Sequence, residues 1–240
     1  MLPYVLYILQ NAEPEEKLKI YDYLETFLMR RTIAHLETRG YNSLFSENLL
    51  SNKVLTVTEL KKYVDKDKDM SYRAAKPKEI KHAVNNTVYI NRQALGFLYM
   101  IESRLRSETK TATQLLGLES YTLEHLLPKK WKETWEQPAD PEVVKETDEA
   151  LYTFGNLAII PGALNTSISN APWQTKLNGK GNKDGLLKHA SGHVTLDDCL
   201  SKDSWDLSCI RYRAQALFEY IIHIWREDWD EELIKPEELQ

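Results

Sequence analysis

The hydrophobic rhythm of this chain changes once, and that change limits what it can fold into. As far as Arg106, apolar residues recur at steps of three and four. Between Glu15 and Glu37 they are Leu18, Tyr21, Leu24, Phe27, Leu28 and Ile33, the stripe of an amphipathic helix. Gly40 is placed to end it. Thr58 and Glu59 open a further helix through Leu60 and Val64, and Asn91 to Arg106 carries Leu95, Leu98, Tyr99, Ile101 and Leu105 on one face. The polar stretch from Ser107 to Thr113 then breaks the pattern. From Tyr121 to about Ile160 the apolar runs shorten and are bounded by Pro and Gly, which predicts small strands. A helix from Pro141 to Tyr152 lies between them, with Pro in its first turn and acids after it. A Gly/Asn/Lys-rich loop spans Asn178 to Asp184. A last amphipathic helix, within Trp205 to Trp229, carries Ile210, Tyr212, Arg213, Leu217, Tyr220, Ile221 and Ile224. The expected class is mostly α with a small α+β insertion. A helical region over 1–90 would be followed by a second domain over 91–240.

Charge narrows the function. With 31 Lys and Arg against 36 Asp and Glu, the formal net charge is −5. Holding nucleic acid by bulk electrostatics is thus disfavoured, although a local basic groove remains open. The lysines between Lys61 and Lys81 alternate with Asp65, Asp67 and Asp69 and read as a solvated mixed-charge face. Two cysteines, Cys199 and Cys209, give no disulfide framework. No apolar run is long enough to span a bilayer, so a cytoplasmic protein is expected. The opening Met1 to Leu9 is apolar but lacks a basic n-region and a cleavage site. Its core-like start suggests the C-terminal part of a longer protein.

The chemistry concentrates around Glu124 and His125, which end the first short apolar run before Pro128. An imidazole near its unperturbed pKa can take a proton from water. Adjacent strand residues point to opposite faces, so the pair splits its roles unless the strand end bends. A carboxylate with amide oxygens and waters suits Mg²⁺ or Mn²⁺. Asn156 and Asn165 bracket the second apolar run and supply such amides. Together these residues suit metal-assisted phosphodiester cleavage.

Glu124-His125-Leu126-Leu127-Pro128, Gly155-Asn156-Leu157, Asn165 and Lys176 resemble the HNH (ββα-metal) nuclease signature. More closely, the order resembles the C-terminal His-x-x-Pro domain of GmrSD-type modification-dependent restriction endonucleases. The similarity spans about Asn91 to Asp230 and extends through a Trp-containing helix bearing Arg211 and Arg213. The resemblance implies a helical region followed by an HNH-like ββα-metal unit packed among helices. It also implies a metal-dependent DNA endonuclease acting on foreign or modified DNA in antiviral defence. In that pattern His125 is the general base, and Glu124 and Asn165 hold Mg²⁺ or Mn²⁺. Asn156 braces the loop and orients the histidine, and Lys176 is a candidate for the scissile phosphate. Glu124 stands where Asp is commoner. Recognition of DNA would belong to an N-terminal nucleotide-dependent domain of the same protein. Lys129, Lys130, Lys180 and Lys183 could position DNA through its phosphates, or be ordinary surface lysines.

Three other readings compete. His189 and His193 with Cys199 could suggest zinc, but Gly192 separates the histidines and finger-like spacing is missing. Six tryptophans could stack bases, although docking helices to a core accounts for them better. Finally, the chain could be a non-catalytic module that binds DNA or docks a partner within a larger defence protein.

Overall fold

The computed structural model describes residues 1–65, 67–68, 71–109, 115–189 and 193–230. Asp69, part of the Ser107 to Thr113 stretch, Gly192 and the side chain of His189 lie outside the described residues. The chain divides into two compact units, 1–83 with 225–240, and 84–224. Its helices and strands run α1 (Leu2–Asn11), α2 (Pro14–Ile33), α3 (Val57–Tyr63), α4 (Pro77–Asn86), α5 (Asn91–Thr109), β1 (Tyr121–His125), α6 (Pro141–Ala150), β2 (Leu157–Pro161), α7 (Gly162–Ile168), α8 (Trp173–Asn178), α9 (Leu186–His189), α10 (Asp197–Leu200) and α11 (Leu207–Ile224). The described residues are thus mostly helical with a two-stranded sheet, in keeping with the expected mixture. No described helix is long and apolar enough to cross a membrane.

In the first unit, α2 starts on Pro14 with Glu15 and Glu16 in its first turn and ends with Arg30 and Arg31 in its last. Those charges complement the helix dipole at both ends. The helix stops at Ile33, the last residue of its hydrophobic stripe and short of Glu37, because His35 turns into positive φ at 57°. Gly40 is therefore not its cap. With φ 88° it serves the turn that follows, where a Cβ would meet Ser71 Oγ at 2.4 Å. The cap of α3 is Thr56 rather than Thr58, its side chain accepting from Glu59 N at 3.3 Å. Ile20, Leu24 and Phe27 of α2 meet Tyr4 and Ile8 of α1 and Leu44, Phe45 and Leu49 of a π-helical segment, Ser43–Leu50.

Both terminal arginines of α2 are buried. Arg30 donates to the two Asp230 carboxylate oxygens at 2.7 and 3.0 Å, and to the carbonyls of Trp225 and Ala75 at 2.9 and 3.2 Å. Arg31 donates to the carbonyls of Ser71, Arg73 and Glu37. These guanidiniums staple chain segments together. They offer no free charge to DNA.

In the second unit, β1 and β2 pair antiparallel, with Glu124 opposite Ala158 and His125 opposite Leu157. Four of the five β2 residues are buried, because α5 and α7 both pack against the two strands. A strand covered on both faces needs a continuous apolar run rather than alternation, and Leu157 to Ile160 provide it. Leu126, Leu127, Ala158, Ile160, Leu164, Ile168, Trp173 and Trp205 share one core. Trp131, Trp173 and Trp205 are buried in this unit, and Trp225 is buried in the first, so these tryptophans are anchors for packing.

Candidate active site

The chain leaving β1 is held in place by one side chain from the start of β2. Asn156 is wholly buried. Its Oδ1 accepts from Leu127 N at 2.7 Å and from the Trp205 indole at 3.1 Å. Its Nδ2 donates to the carbonyls of Leu127 and Leu151, each at 2.9 Å. The Asn156 carbonyl also accepts from Leu126 N at 2.9 Å. The two residues after His125 are thereby tied to the start of β2 through backbone and amide. All four hydrogen-bonding positions of the amide are used, so Asn156 sets the loop and has none left for a substrate.

Two neighbours make that arrangement possible. A Cβ at Gly155 would lie 2.1 Å from the Ile210 carbonyl oxygen, so only glycine allows α11 to pass so close. Arg213 on α11 is buried and donates through Nη1 to the carbonyls of Phe154, Gly155 and Leu157 at 3.0, 3.1 and 2.7 Å. Its Nε donates to Thr195 O at 3.1 Å. Arg213 gathers three carbonyls around a 3₁₀ turn, Phe154–Asn156, of which Phe154 O also accepts from Leu157 N. Arg211, exposed, pairs with Glu146 at 2.6 Å. The signal for a buried Arg213 was its place three residues from Ile210 and four from Leu217, on the apolar stripe.

His125 ends β1 half-buried, its ring edge-on to Tyr152 with centroids 5.7 Å apart. Burial, and then the positive charges of Lys129 and Lys176, pull its pKa down to about 4. The imidazole is therefore neutral at physiological pH and can accept a proton. Lys129 is exposed, with Nζ 5.4 Å from the centroid of the same Tyr152 ring. Nothing in the sequence singled out Tyr152, whose role depends on the chain returning past β1.

Glu124 points away from His125, as strand alternation requires, and is buried. Lys176 on α8, wholly buried, donates through Nζ to Glu124 Oε1 and to the His125 carbonyl, the latter at 2.9 Å. Burial pushes the Glu124 carboxyl up and the Lys176 ammonium down, and their mutual attraction opposes both shifts. On α7, Asn165 donates through Nδ2 to Thr122 Oγ1 and to the Leu123 carbonyl, both at 3.1 Å. The carbonyl can only accept, so it fixes the orientation of the amide and leaves Asn165 Oδ1 as the group without a bond in the described structure. Thr122 and Glu124 share a strand face, which puts the Asn165 amide on the Glu124 side of β1.

For a divalent cation the donor chemistry fits in kind. One carboxylate and one amide oxygen are hard donors of the type Mg²⁺ and Mn²⁺ take with waters completing the shell. The set is sparse. Among the described residues no three His, Cys, Asp or Glu side chains group to hold a metal. The zinc reading gains nothing from His193, which is buried with an unpartnered Nδ1. Lys130 is exposed beside Glu133 at 3.5 Å. Lys180 and Lys183 are exposed and bridged to each other on the turn after α8.

Residues 74–220 match the family model described as GmrSD restriction endonucleases, C-terminal domain. No curated protein matches the chain.

Proposed function

We infer, for a chain that belongs to the family of C-terminal domains of GmrSD restriction endonucleases, a metal-dependent DNA endonuclease in which β1, β2 and α7 form an HNH-like ββα unit. The observation that carries this reading is the neutral, half-buried His125 at the end of β1, on a loop fixed by every hydrogen bond Asn156 can make.

In this reading one ring nitrogen of His125 takes the proton of a water as its oxygen attacks phosphorus, and the bond to the 3′-oxygen breaks. Burial and two nearby lysines keep the imidazole unprotonated beforehand. An approaching phosphate brings the negative charge that favours the imidazolium as it forms. Tyr152 limits the tilt of the ring, and Lys129 beside it is placed to meet a phosphate oxygen. Lys130, Lys180 and Lys183 add contacts that position the duplex without reading sequence. Glu124 and Asn165 would hold Mg²⁺ or Mn²⁺, which when bound supplies a Lewis acid for the phosphoryl oxygen. Foreign or modified DNA would be selected by an N-terminal nucleotide-dependent domain of the same cytoplasmic protein.

The test is nicking of supercoiled plasmid with Mg²⁺ or Mn²⁺ by this chain and its His125→Ala variant. Removing a general base should lower the rate by about 10²–10⁴-fold. Equal cutting by both proteins would sink the assignment. A non-catalytic DNA-binding or docking module is the second reading, favoured by the Lys176 ammonium that already neutralises Glu124. It predicts DNA binding without metal-dependent cutting, by this chain and by a longer protein containing it.

A further inference from the structure

The carboxylate best placed to hold a metal already holds a cation. Lys176 Nζ reaches Glu124 Oε1 and the His125 carbonyl from a side chain that is 0 % exposed. An ammonium has three N–H donors, and the described structure gives it two protein acceptors, both at the end of β1. The pair lies out of water, where like charges repel strongly. A divalent ion approaching Glu124 therefore meets a repulsion that withdrawal of the Lys176 ammonium would relieve.

We propose that Lys176 is a built-in placeholder for the divalent ion, filling the cation position at Glu124 in the metal-free chain and withdrawing from it when the ion is bound. This rests on the metal-dependent reading given above. Two consequences follow from the geometry. The placeholder keeps the buried Glu124 carboxylate compensated in the metal-free chain, which an empty site would not. It also lowers apparent metal affinity, because only chains with the lysine withdrawn are competent to bind. Occupancy of the site and exposure of Lys176 are thus linked.

Mn²⁺ titrations followed by the electron paramagnetic resonance of the free ion test this on the whole chain and its Lys176→Met, Lys176→Gln and Glu124→Gln variants, each checked for folding by circular dichroism. Both Lys176 variants should bind Mn²⁺ tighter than the unmodified chain, by about tenfold or more, and Glu124→Gln should lose the site. A second readout needs no variant. Acetylation of amines, read by mass spectrometry, should leave Lys176 protected without metal and modify it several-fold faster at saturating Mn²⁺. Equal or weaker Mn²⁺ binding by folded Lys176 variants, or Lys176 labelling unchanged by bound Mn²⁺, would overturn the placeholder while leaving a metal site. Failure of every protein to bind Mn²⁺ would overturn the metal reading together with it.

Discussion

Replacing Asn156 by Ala asks whether this residue braces the loop or takes part in chemistry. The change deletes one side chain and orphans four buried groups. These are the Leu127 N–H, the Leu127 carbonyl, the Leu151 carbonyl and the Trp205 indole N–H. A buried polar group left without a partner costs about 1–3 kcal/mol. Taking the lower bound for each group, and allowing for local relaxation, the loss is about 4 kcal/mol. That is a large share of the roughly 5–15 kcal/mol by which domains are stable. Urea unfolding should detect it, followed by near-ultraviolet circular dichroism. The Trp173–Trp205 pair, stacked with centroids 5.1 Å apart, supplies the signal. The Leu127 amide should also exchange with solvent deuterium far faster in the variant. A variant within about 1 kcal/mol of the parent, below even a single orphaned group at the typical cost, would refute the brace. So would unchanged exchange at Leu127.

Two further outcomes are expected, one in each unit. Gly155→Ala drives a methyl group to 2.1 Å from the Ile210 carbonyl oxygen. Overpacking of about 1–3 kcal/mol or more should follow, visible as a lower melting temperature, and an unchanged one would contradict the close approach. Glu227, buried in the first unit near Arg30, Lys61, Tyr23 and Asp230, has its carboxyl pushed up by burial to about 7 from 4.5. The unfolded chain then gives up this proton at lower pH than the folded one. Stability from this group is full below pH 4.5 and is lost as pH rises through 7, by about 3 kcal/mol in all. Denaturation curves across that range should show the fall in the parent and not in Glu227→Gln, and parallel curves would disprove it.

Much of the candidate site is legible in the sequence because it is local. Glu124 and His125 are neighbours, Pro128 stops the run they end, and the strand positions follow from two short segments, Tyr121–His125, where Tyr121 and Leu123 alternate with polar residues, and the continuous apolar run Leu157–Pro161. The helices follow from periodicity, with errors at their ends. The end of α2 is set by the backbone at His35 and the start of α3 by Thr56. Hydrophobic spacing carries no information about either, because the stripe reports which face is buried and not where the turn begins. The contacts of Tyr152 and Trp205 in the site are not legible in the sequence for a different reason. Their part in the site depends on segments that return to it from elsewhere in the chain.

The sequence by itself determined the mostly helical class, the two short strands and the acid–histidine pair at a strand end, since each is written in residues a few positions apart. Tertiary structure alone decided what those side chains do. The sequence marks Asn156 as a brace and places Arg213 on the last helix, but only the fold shows which buried backbone groups each one holds. Lys176 lies 52 positions from Glu124 and touches it. The reason is physical. A buried polar atom must find a partner wherever the fold brings one within reach, and that reach is measured through space and not along the chain.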